Sequence, residues 1–148
     1  MKANLLAERL LLTLWVGSLC AIGYIAVPMA FATLGDVTQA GNYAGKLFSA
    51  VNMLGLACGS VLIMSKLLSQ GKRTLALWRF WVLVTMFLLT LLFSCYLQPE
   101  IATVKALMQQ DGNEIEHFDL LHSLSKNIYL FISVLGLALV VSSDKVEA

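Results

Sequence analysis

Charge is scarce in this chain. Of its 148 residues only 13% are Asp, Glu, Lys or Arg, against 59% hydrophobic, and the mean hydropathy is +0.80. Ordinary soluble domains carry roughly 25% charged residues, so a water-soluble fold would lack the polar surface to cover this much apolar side chain. The excess must face lipid. A net charge of +1 offers no basic stripe for nucleic acid or an acidic polymer, and nucleic acid drops out as a partner. Cysteine is confined to Cys20, Cys58 and Cys95, one in each of three apolar runs, with no C-x-x-C spacing. That argues against a disulfide framework or a zinc site. It leaves small hydrophobes packed between helices, or a soft-metal relay. No nucleophile elbow, phosphate loop or metal-hydrolase motif is present, and no charge lies deep in an apolar run. An enzyme, a channel or a proton path therefore has little to build on.

What the chain does have is long apolar runs. A spanning helix needs about 20 predominantly apolar residues, and Leu10–Gly35, Leu47–Ser65 and Phe80–Pro99 each supply an uncharged run of that order. Asn127–Ser143 is shorter, which predicts a start nearer Leu124 with Lys126 snorkelling back to the boundary. The fold class that follows is all-α: one integral membrane four-helix bundle with spans over residues 10-34, 45-67, 79-98 and 122-143. The first run follows Lys2 and Arg9, and Ala-Phe-Ala at 30–32 resembles a cleavage site. Its length still exceeds the roughly 7 to 15 residues of a signal h-region, so it reads as a span.

Lys2, Arg9, Lys66, Lys72, Arg73, Arg79 and Lys145 fall on one side of the bilayer, against Lys46, Lys105 and Lys126 on the other. The positive-inside rule then predicts N-in/C-in topology, with both termini cytoplasmic in a bacterial inner membrane. Trp78 and Trp81 fit an interfacial belt at the inner end of span three. In the third loop Ile101, Val104, Leu107 and Met108 keep helical spacing, "DGN" at 111–113 reads as a turn, and the period resumes at Ile115 and Phe118. Helices 3 and 4 are thus expected to extend as an outer-side hairpin.

The helix faces supply the candidate residues. Gly41, Gly45, Phe48, Asn52, Gly55 and Gly59 share one stripe of span two, containing the pairs "GNYAG" and "GLACG". Small residues at this spacing let two membrane helices approach closely, the partner being an adjacent span or a second copy in a homodimer. Asn52 needs a hydrogen bond inside the span, as interhelical glue or as cavity lining. Pro28 cannot donate to the carbonyl of Tyr24 and should kink span one near its outer end. On span four Phe118, His122, Ser125, Tyr129, Ile132 and Gly136 form another stripe. The outer ends together collect Tyr24, Pro28, Phe48, Gln98, Glu100, His122, Ser125 and Tyr129 as a candidate pocket. With Met29 or Met108, His122 could hold copper or, alone, act as an axial haem ligand, although a single histidine at a helix end is more often only hydrogen-bonded. Ser125, three positions after His122, more naturally bonds a backbone carbonyl than joins a catalytic relay.

The segments "PMAF" at 28–31, "AGNYAGKLF" at 40–48, "PEI" at 99–101 and "FDLLHSLS" at 118–125 carry a family resemblance. In this order and spacing the chain resembles the bacterial domain of unknown function 4149 and the related transmembrane-protein-205-like proteins. The resemblance implies a four-helix integral membrane domain and no settled activity. One departure stands out, since Ala32 occupies a position where the family pattern often carries a basic residue. The functional expectation is a membrane protein that binds a small ligand, or a membrane-protein partner, through its outer face.

Overall fold

The apolar runs become four long helical rods in the computed structural model, which describes residues 2–111 and 115–142 and the side chains of residues 6–107 and 118–142. The first rod joins α1 (Lys2–Ala21), a π-helical segment (Ile22–Ala26) and α2 (Val27–Thr33). The second is α3 (Val37–Gln70), entered through Asp36, whose carboxylate accepts the Thr38 amide at 2.8 Å as an N-cap. It ends at Gly71, whose φ of 55° is open to glycine and closes the helix before the 3-10 segment Gly71–Ala76. The third rod joins α4 (Trp78–Leu92), a π segment (Phe93–Leu97) and α5 (Gln98–Asp111), and the fourth is α6 (Ile115–Val141). Each rod contains a stretch long and apolar enough to cross a membrane: Leu6–Thr33, Val37–Ala76, Trp78–Leu107 and Phe118–Val141. All four are longer than the spans read from the sequence, because helix continues into the polar flanks, although the first ends at Thr33 and the fourth at Val141. Asp111 is the last residue of α5, and the remainder of the expected "DGN" turn lies outside the described residues.

Each rod packs on its two neighbours, α1 on α3 and α6, and α4 on α3 and α6. The axis is filled by Leu12, Trp15, Val16 and Leu19 of α1, Val51, Cys58 and Leu62 of α3, Leu83 and Met86 of α4, and Tyr129, Ile132 and Leu139 of α6. Gly55 and Gly59 each make room for an aromatic ring of a neighbouring helix. A Cβ on Gly55 would sit 2.9 Å from Cε2 of Trp15, and one on Gly59 would sit 2.7 Å from Phe87 and 3.2 Å from Trp15. Gly136 makes the same kind of room for Val16, at 2.7 Å. Van der Waals contact of this sort holds helices together in lipid, where no hydrophobic force acts between them.

The two helical hairpins repeat one another. The π segments start at Ile22 and Phe93, each is five residues long, and each is followed two positions later by a proline, Pro28 or Pro99. In that register Leu12 matches Leu83, Trp15 matches Met86 and Leu19 matches Thr90, and all six are buried. On the second helices the stripe from Gly41 to Gly59 matches the stripe from Phe118 to Gly136 step for step. Both hairpins run in the same sense, which makes this a parallel repeat about an axis along the bundle. Cys20, Cys58 and Cys95 are free thiols.

At the end that carries the termini, Glu8 and Lys66 form an ion pair at 2.6 Å, with side chains 20% and 7% exposed. Arg79 donates to the carbonyl of Ser142 and, at 2.7 Å, to its hydroxyl. Thr74 caps the Lys66 carbonyl at 3.0 Å. Trp78 and Trp81 are exposed at this level. From Arg79 to Pro99 the third rod climbs about 30 Å, the thickness of a hydrocarbon core. Pro28, Lys46 and His122 stand about the same number of residues from this charged layer and mark the opposite boundary.

Candidate functional site at the hairpin end

Pro28 lies after a π turn, and that changes which carbonyl goes unpaired. The Val27 amide bonds the Ile22 carbonyl in π register, so the acceptor whose donor Pro28 lacks is that of Gly23 rather than Tyr24. One turn earlier the phenol of Tyr129 donates to the Leu19 carbonyl at 2.7 Å, while the Gly23 amide addresses the phenol oxygen. The hydroxyl has inserted into the backbone ladder, one of the few recognised causes of a bend in a helix. Gly23 is required there, since a Cβ would lie 2.8 Å from the Tyr129 ring carbon Cζ.

Around Tyr129 the rings of Phe48, Phe93 and Tyr24 stand at 5.1, 6.4 and 6.3 Å between centroids. The Phe48 and Phe93 rings fill the interior at this depth, and Tyr24 meets the Tyr129 ring edge-on from the exposed flank. Beside this aromatic floor is a polar layer. Asn52, 3% exposed, donates to Oε1 of Gln98 at 3.3 Å, and Gln98 donates to the Gly45 carbonyl at 2.9 Å. In the repeat Asn52 and Tyr129 are equivalent positions. Each makes a hydrogen bond to another rod, Asn52 to the third and Tyr129 to the first.

The expected pocket residues divide into two groups. Phe48, Gln98, Ser125 and Tyr129 are buried or half-buried and line the interior, and Glu100 is half-buried on α5. Ser125 bonds the Leu121 carbonyl at 2.7 Å. Tyr24 and Pro28 are exposed on the outer flank of the first rod, so the bundle does not enclose them. His122 is exposed as well, with its ring stacked on Phe118 at 5.7 Å and 9°. Met29 is 57% exposed, and among the described residues no three of His, Cys, Asp and Glu gather as a metal set. Of the packing glycines, Gly45 has nothing within 4 Å of a would-be Cβ, whereas Gly41 faces the Lys105 ammonium at 2.8 Å.

Lys105 was legible only as a loop charge. Its half-buried ammonium lies over Gly41 close to Phe31, joining α5 to the start of α3. The paired π segments were also missed, although prolines at the same place in two spans were a readable signal.

Residues 10–110 match the model of a family described as a domain of unknown function, DUF4149, a match that covers the first three rods and stops before α6. No curated protein and no solved structure matches the chain. The matched region exceeds half of the sequence and includes Pro28, the Gly41–Gly59 stripe, Gln98 and Lys105, and the chain belongs to the DUF4149 family.

Proposed function

We propose that this integral membrane protein, with both termini cytoplasmic in a bacterial inner membrane, binds a small ligand at the mouth between its two hairpins. The observation that carries the reading is the state of Gln98. Its amide uses one donor on Gly45 and one acceptor site on Asn52, which leaves one N–H and one lone pair unspent. It sits where three rods converge, beside a floor closed by Phe48, Phe93 and Tyr129. A half-buried amide with a donor and an acceptor site to spare, beside an aromatic floor, supports this reading because it can take a further polar group as partner.

The test compares what purified full-length protein and Gln98→Leu retain in native mass spectrometry from mild detergent. A bound molecule carried by the first and lost from the second supports the reading; equal spectra overturn it. A membrane-protein partner is the second reading, favoured by the length of α5 and by Leu107 and Leu120, which are exposed on the hairpin.

A further inference from the structure

We propose that the mouth binds a phosphate-type oxyanion, with Lys105 as its principal ligand; this rests on the reading of the mouth as a binding site. The ammonium of Lys105 is half-buried, and among the described residues it has no hydrogen-bond or ion-pair partner. A cation moved partly out of water without a counter-charge is costly, and a bound anion removes that cost. Gly41 supplies the space, because any Cβ there would lie 2.8 Å from the nitrogen. His122 stands in the field of Lys105 and of Lys126 one turn along α6, with Asp119 as the acidic group in the same field.

The repeat sharpens the argument. Below the mouth the hairpins match in kind, with Leu62 against Leu139 and Gly59 against Gly136. At the mouth they differ: Gln98, Lys105 and His122 of the second hairpin stand where the first has Val27, Leu34 and Gly45.

Depth narrows the source of the anion to two. Lys105 lies about 9 Å along the helix beyond Pro99, in the layer where lipid headgroups sit. The same chemistry serves a lipid phosphate entering from the side or a soluble phosphate from the water.

The experiment uses the full chain in nanodiscs. In phosphatidylcholine discs, binding of inorganic phosphate is measured by equilibrium dialysis. In discs doped with phosphatidylglycerol, retained lipid is counted by native mass spectrometry. Lys105→Gln should weaken whichever oxyanion binds at least about tenfold, the scale of one lost charge-assisted contact. Lys105→Arg should retain binding, and the distal Lys72→Gln should leave it unchanged. Phosphate binding identifies a soluble ligand and phosphatidylglycerol retention a lipid, and either supports the proposal. Equal binding by wild type, Lys105→Gln and Lys105→Arg overturns it. So does the finding of a neutral molecule lost only in Gln98→Leu, which would leave the mouth as a site without the charge assignment. If no molecule is held in any arm, both readings fall.

Discussion

Gly55 and Gly45 lie on one face of α3, yet a methyl group should act oppositely at the two. At Gly55 the new Cβ would sit 2.9 Å from Cε2 and 3.0 Å from Cδ1 of Trp15. That indole is completely buried and cannot swing aside as a flexible chain end would. Overpacking of this kind costs about 1 to 3 kcal/mol. Against it stands a gain of about 1 kcal/mol from replacing glycine inside a helix. At Gly45 nothing lies within 4 Å, and the carbonyl that accepts from Gln98 is unaffected, so only the gain applies. The propensity contribution cancels between the two variants, and Gly55→Ala should be about 1 to 3 kcal/mol less stable than Gly45→Ala. Reversible SDS unfolding in mixed micelles, followed by far-UV circular dichroism, measures that difference. Equal midpoints for the two variants would refute the packing of Trp15 onto Gly55.

Tyr129→Phe removes the bond to the Leu19 carbonyl and should cost about 1 kcal/mol in the same assay, in the range of interhelical hydrogen bonds in lipid; no loss would mean that this bond does not hold the first and fourth rods together. Glu8→Ala strands the buried Lys66 ammonium and should cost about 3 kcal/mol. The double variant Glu8→Leu/Lys66→Met should recover most of that, and a double variant as unstable as the single one would refute the pairing. Topology is read with a membrane-impermeant maleimide on a cysteine-free background. Ala106→Cys should label on intact cells and Ser69→Cys only after permeabilisation, and the reverse pattern would invert the assignment of the termini.

The architecture was legible because lipid imposes a simple rule on sequence. Leu47–Ser65 carries no charge, and a run of that length in a bilayer has to be helix. The ends were less legible. Residues such as Lys2, Lys72 and Arg73 lie beyond the apolar runs, and hydropathy is silent on how far helix continues past them. The stripes of Asn52 and Tyr129 were readable one at a time, but their identical steps become a repeat only when Pro28 and Pro99 are aligned with them. Hydrogen bonding decided the rest. The phenol of Tyr129 bonds a backbone carbonyl of the first rod beside the π turn, and apart from the paired prolines no spacing of side chains announces that turn. His122 looked inward by periodicity, yet it stacks on Phe118 at the exposed edge. Lys105, counted as a loop charge, was drawn to the mouth by the length of α5.

The most direct test of the mouth as a binding site is an experimental density map of the full chain purified in nanodiscs from its native membrane. Density for a molecule is expected within hydrogen-bonding distance of the Gln98 amide and the Lys105 ammonium, beside the floor of Phe48 and Tyr129. A mouth holding only water, with Lys105 turned away from Gly41 into solvent, would contradict this expectation.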